Sequence, residues 1–180
     1  SFYDANDIDP KDVEPLFCLA QVALAEKNTL VAQTQYRAML DIDPSSTIAH
    51  SAIADLLLAD ERYYEATETY KKVLTLGGAQ ASVLAKAAQA YQLMGSVDEG
   101  LALIEKYPLE SFNEAVTLLH RNFLLLLKDE QKAQALTQLL HQNLPNHPQY
   151  ILEYAKLLKK SEDYPAIEQL FTQLLDLEIA

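Results

Sequence analysis

An all-α fold made of repeated helix–turn–helix hairpins is what three observations on this 180-residue sequence predict. Ala, Leu, Gln, Glu and Lys abound while Gly numbers 4 and Trp is absent, a bias that favours helix when summed over long windows. The word Asp-Ile-Asp-Pro stands at 7–10 and again at 41–44, a step of 34 residues. The same step carries Ala32 onto Ala66, Tyr36 onto Tyr70 and Ala66 onto Gly100, and steps of 33 then reach Ala133 and Ala166. One matched word is chance, whereas a register held along the chain at a fixed period marks a solenoid.

The elements follow in order. Residues 1–12 read as the tail of an earlier unit, with Phe2 in the slot of Tyr36 and Asp-Ile-Asp-Pro closing it. The chain is therefore expected to be a fragment of a longer array. Repeat 1 spans 13–46. Its first helix, about 13–27, carries Leu16, Leu19, Ala20, Ala23 and Leu24 at steps of three and four, an apolar stripe on one face. Pro15 sits in the first turn, where a missing N–H is harmless. The second helix, about 29–41, carries Val31, Ala32, Tyr36, Met39 and Leu40, and Pro44 ends the unit. Repeat 2, 47–80, has helices at about 47–60 and 62–76, stopped by Gly77-Gly78. Repeat 3, 81–110, has them at about 81–94 and 96–106, with Gly95 at the turn and Pro108 as the stop. Repeat 4, 111–147, has helices at about 111–127 and 130–143, and repeat 5, 148–180, at about 148–160 and 163–177. These last two diverge; in repeat 4, Ala133 and Ala135 compete for one small-residue slot.

The period has a physical cause. Two helices of about 13 residues with two turns fill about 34 positions, and such a pair cannot enclose a core, so each hairpin lends its open face to the next. Small residues at Ala20, Ala54 and Ala88, and at Ala32, Ala66 and Gly100, fit where helices press close, while Tyr36 and Tyr70 fill the gaps between units.

These residues resemble the tetratricopeptide repeat family. Leu16, Leu19, Ala20, Ala32, Tyr36 and Pro44 answer its pattern in repeat 1; Ile53, Ala54, Leu57, Ala66 and Tyr70 in repeat 2; Leu84, Ala87, Ala88, Tyr91, Gly95 and Gly100 in repeat 3. His50, Met39 and Gly78 depart from it, at slots for a large residue, an Ala and a Pro. The resemblance implies a right-handed α-solenoid of about five hairpins whose first helices line a concave face. Residues not spent on packing would then point into that groove: Phe17, Gln21, Ser51, Asp55, Lys86, Gln89, Gln92 and Asn122. A peptide or protein segment is the expected ligand. One branch of the family grips the acidic C-terminal tails of heat-shock chaperones with a basic clamp. The matching slots here hold Phe17, Gln21, Ala52, Ser82 and Lys86, and only Lys86 fits, so those tails are not an expected partner.

Charge and composition narrow the partners further. The net charge of −12 repels nucleic-acid phosphates and anionic membrane surfaces. Residues 1–68 hold 13 acidic against 4 basic side chains, so a basic partner is expected to be steered toward the N-terminal half. The most apolar run, 115–127, is too short and too polar to cross a bilayer, and no membrane insertion is expected. Its Leu124–Leu127 stretch offers a surface for self-association through repeat 4. Cys18 is the lone cysteine, read as a small buried or half-buried helix residue. No internal disulfide is possible, which favours a cytoplasmic setting and leaves a periplasmic one open.

Catalytic patterns are wanting. Gly77-Gly78 fits no phosphate loop, and Cys18 has no neighbouring His in sequence. His141 and His147 read as exposed polar residues of a loop; His50 and His120 read as half-buried residues of first helices without partners. No metal, cofactor or enzymatic activity is expected. The function read from the sequence is a non-catalytic interaction scaffold or adaptor. The alternatives are an accessory repeat region of a larger enzyme and a self-associating structural module.

Overall fold

The computed structural model describes residues 12–77 and 80–179. The expected tail at the N-terminus, with Phe2, and Gly78 lie outside the described residues. Among the described residues ten α-helices run in order: α1 Glu14–Ala25, α2 Thr29–Ile42, α3 Thr47–Ala59, α4 Tyr63–Gly77, α5 Ala81–Met94, α6 Val97–Lys106, α7 Glu114–Leu126, α8 Glu130–Asn143, α9 Pro148–Lys160 and α10 Tyr164–Ile179. No strand occurs among the described residues. The chain divides into two compact units, one ending at Met94 and one starting at Gly95.

The turn inside a hairpin is one motif used repeatedly. After α1, Lys27 N–H bonds the Leu24 carbonyl and Asn28 N–H the Ala23 carbonyl, with Lys27 in the left-handed region at φ 59°. This pair of bonds satisfies carbonyls that the helix end leaves open. The same pair closes α3 at Glu61 and Arg62, α7 at Lys128 and Asp129, and α9 at Glu162 and Asp163, each with a positive φ at the first residue named. Among the described residues glycine takes the corresponding position only at Gly95, φ 73°. In three of these turns the second residue also caps the next helix: Asn28, Asp129 and Asp163 accept from the N–H groups of Val31, Lys132 and Ala166. One residue thus ends one helix and starts the next, which keeps the turn to three residues.

In the first unit α2 packs against α1 and α3, and α4 against α3 and α5. Ala20, Ala32, Ala54, Ala66 and Ala88 are all fully buried, in keeping with small residues at the close approaches. Replacing Ala54 with Leu is expected to overpack its site and cost about 1–3 kcal/mol, read from the midpoint of denaturant unfolding at unchanged slope. Tyr36 and Tyr70 are buried as well. His50, in the slot where the pattern asks for a large apolar residue, is also buried, and its Nε2 lies 3.0 Å from the Pro44 carbonyl oxygen. It therefore has a partner, supplied by the connection that Pro44 shapes.

In the second unit α7 packs against α6 and α8, and α9 against α8 and α10. Its buried apolar residues include Phe123, Leu124, Leu140, Tyr150 and Ile151. Ala133 is buried and Ala135 exposed, so Ala133 holds the contested slot. α7 begins three residues later than its periodicity suggests. Asn113 explains the delay: its side chain accepts the Val116 N–H at 3.1 Å and starts the helix there. Residues 107–113 are consequently a seven-residue connection without helix.

Candidate interaction face

The residues proposed from sequence fall into two groups. Phe17 and Gln21 lie on α1, Ser51 and Asp55 on α3, and Lys86, Gln89 and Gln92 on α5, all in the first unit. Asn122 lies on α7 in the second. Phe17, Ser51, Asp55, Lys86 and Asn122 are half-buried; Gln21, Gln89 and Gln92 are exposed.

Three of them bond to one another or to a buried tyrosine. Lys86 Nζ donates to Asp55 Oδ2 at 2.6 Å, linking α5 to α3. Tyr70, buried on α4, donates its hydroxyl to Asp55 Oδ1 at 2.6 Å. One turn of sequence period earlier, Gln21 Nε2 donates to the Tyr36 hydroxyl at 2.8 Å. The Asp55 carboxylate is therefore held by a buried phenol on one oxygen and meets an ammonium on the other. Burial pushes the Tyr70 pKa far up, and the bond to Asp55 adds to the shift because the neutral phenol is the donor. Burial also raises Tyr36, opposed by Gln21 and reinforced by the Asp55 charge. Phe17, Ser51, Gln89 and Gln92 make no side-chain hydrogen bond among the described residues, which leaves Ser51 and the glutamines free to pair with something else.

The tyrosine links are absent from the sequence reading, which took Tyr36 and Tyr70 as fillers. A signal did exist: each tyrosine follows its polar partner by 15 residues, Gln21 to Tyr36 and Asp55 to Tyr70. The second unit holds another missed cluster. Arg121 of α7, its side chain only 8% exposed, pairs with Glu153 of α9, and its NH2 group lies 3.4 Å from Asn122 Oδ1. Gln149 donates to the other Glu153 oxygen at 3.1 Å, and the buried Tyr150 donates to Glu114 at 2.6 Å. Burial first, then Glu114, pushes the Tyr150 pKa up to about 12.

Other sequence expectations need correction. Cys18 is exposed rather than buried, because the buried face of α1 runs through Ala20 and Ala23; its Sγ lies 3.9 Å from a Glu14 oxygen. His141 belongs to α8, not to a loop; it is half-buried and its ring stacks on Tyr154 at 4.7 Å. Burial lowers its pKa. His147 is exposed ahead of α9 and stacks on Tyr150. Of the Leu124–Leu127 run, Leu124 is buried and the other three are exposed at the end of α7. Among the described residues no three His, Cys, Asp or Glu side chains gather as a metal would require, and no helix is long and apolar enough to cross a membrane.

Helical hairpins packed in sequence, with a repeated turn and small buried residues at a constant period, define a helical-repeat protein. No protein-family model matches the chain, and no curated protein does. Solved structures place it more narrowly. It is similar to PilF of Pseudomonas aeruginosa, with a TM-score of 0.68 and 23% identity over 91% of this chain and 75% of that one. It is similar to YrrB, described as a TPR protein with an unusual peptide-binding site, with a TM-score of 0.70 and 14% identity over 94% and 88% of the two chains. Similarity to MamA reaches a TM-score of 0.73 at 11% identity over 92% and 91%. The chain has the tetratricopeptide-repeat fold.

Proposed function

We propose that the chain is a non-catalytic scaffold that docks a peptide or protein segment on the first helices of its N-terminal unit. The observation that carries this reading is the Asp55–Lys86 pair. Its two side chains remain 43% and 45% exposed, yet Asp55 is fixed by a buried tyrosine. An exposed ion pair is worth little to stability, about 0–1 kcal/mol, so its charges are cheaply redirected to a partner. A fixed carboxylate beside an exposed ammonium, flanked by Gln21, Ser51, Gln89 and Gln92, suits the backbone amides and charged side chains of an extended or helical segment. The surrounding acidic excess would draw a basic segment to this face. YrrB, with its peptide-binding site, supports the reading by analogy of fold.

The test uses a partner captured on the immobilised chain, with affinities then measured by calorimetry. Lys86→Glu removes the ammonium, and Asp55→Asn removes the charge while leaving an acceptor for the Tyr70 hydroxyl. Each is expected to weaken binding about tenfold through a lost charge contact and to shift the melting temperature little. Wild-type affinity in both variants overturns the assignment of this face.

A further inference from the structure

The second unit contains a cavity of about 450 Å³ that the proposed function does not use. It lies beside the connection at 107–113, where seven residues separate α6 from α7, against two to four residues in the other connections among the described residues. The floor of the gap is buried Ile104, Val116 and Thr117, and half-buried Tyr107, Leu109, Phe112 and Leu136 complete an apolar wall. The volume lies in the range of pockets that bury a small ligand or one large side chain.

The polar groups of the lining run from buried Thr117 through half-buried Asn113 and His120 to Ser111, Asn143 and two carboxylates at the exposed edge. Thr117 already gives its hydroxyl to the Asn113 carbonyl at 2.8 Å. His120 is half-buried and makes no hydrogen bond among the described residues. Burial lowers its pKa, with Glu105 opposing and Lys132 assisting, so its imidazole is neutral at pH 7 and can donate or accept. At the exposed rim stand Glu105 and Glu110, neither in an ion pair among the described residues. No lysine or arginine lines the cavity; Lys106 next to it lies over the Tyr107 ring at 5.3 Å.

We infer that this cavity binds an aromatic side chain of a partner protein whose neighbouring residue is Lys or Arg. The apolar wall takes the ring, His120 offers beside it an imidazole that makes no hydrogen bond among the described residues, and the two rim carboxylates meet the cation outside. An aromatic anchor in a desolvated pocket is the usual source of binding energy at a protein interface. The separation of apolar floor and acidic rim fits a side chain followed by a charged neighbour in the same backbone. The site lies in the second unit and shares no residue with the face on α1, α3 and α5, so the two are tested separately.

The test is an amide-resonance titration of the whole 180-residue chain with acetyl-Trp-Lys-amide, acetyl-Trp-Glu-amide and acetyl-Ala-Lys-amide. The first probe is expected to give saturable shifts confined to residues 104–120 and 136–143, together with a shift of the His120 ring proton. The Glu-bearing probe should bind about tenfold more weakly through repulsion at the rim, and the Ala-bearing probe should give no saturable shift. Glu105→Lys with Glu110→Lys should reverse the order of the two tryptophan probes. Leu136→Phe, filling the wall, should abolish binding while the helical signal and the melt show a folded chain. Absence of saturable shifts at millimolar probe overturns the inference, as does equal binding of the Lys and Glu probes, or full binding by folded Leu136→Phe. The charge-reversed variant alters only exposed residues and keeps the test decisive should Leu136→Phe unfold.

Discussion

Glu153→Ala is expected to lower the unfolding free energy by about 3 kcal/mol, and Arg121→Ala by a similar amount. The side chains of this pair are 25% and 8% exposed, and the pair joins α7 to α9. Removing the carboxylate strands a guanidinium in surroundings that offer it only the Asn122 oxygen at 3.4 Å. The low end of the range for broken buried pairs applies because Glu153 keeps some contact with solvent. Replacing both residues with Ala is expected to cost far less than the sum of the single changes, since the desolvation of two charges disappears along with their attraction. Urea unfolding of the four proteins completes the cycle; additivity would show that the pair is not coupled. The contrast with Asp55–Lys86 is instructive. Both pairs join first helices of successive hairpins, at separations of 31 and 32 residues. One is half in water and is expected to contribute little to stability; in the other, the burial of Arg121 makes the loss of either partner costly. Burial alone separates an available handle from a structural clamp.

Periodicity made the helices legible. The stripe Leu16, Leu19, Ala20, Ala23 and the later echoes in α3 and α5 place these elements within a residue or two of their observed ends, because a repeated hairpin must repeat its buried positions. The turns were visible as breaks, though not as a motif. Lys27, Glu61, Lys128 and Glu162 give no compositional hint of positive φ, since among the described residues glycine, the usual sign, occupies that place only at Gly95. The start of α7 was misplaced because apolar Phe112 continues the stripe while Asn113, the actual cap, does not interrupt it. The polar connections were harder still. Asp55, Lys86 and Gln21 stood out as positions spare from packing, but a hydrogen bond from a buried tyrosine depends on side-chain reach across two helices, which no single-helix pattern encodes. The cavity beside His120 was invisible for a related reason. It lies beside a connection a few residues longer than its neighbours, and a change in loop length reads in sequence as weak register.

Tyr70→Ala should unfold the first unit at markedly lower denaturant, with a loss of about 3–5 kcal/mol, the range for emptying a fully buried aromatic site. α4 packs against α3 on one side and α5 on the other, so the void would weaken two helix contacts at once. Tyr70→Phe keeps the ring and loses only the hydroxyl, and about 1 kcal/mol is expected. The difference is informative because Asp55 does not lose its remaining partner: Lys86 stays at 2.6 Å, and the carboxylate is open enough for water to replace the phenol. Alkaline titration gives an independent reading of the same bond. A phenol whose pKa is raised on folding contributes stability that is intact below its unfolded value near 10 and is lost as pH climbs beyond it. Wild-type stability should therefore fall steeply above pH 10, and Tyr70→Phe should flatten that fall. If Tyr70→Phe proves as damaging as Tyr70→Ala, the hydroxyl bond and not the ring fill holds α3 and α4 together, and Asp55 is then committed to the fold and unavailable to a partner.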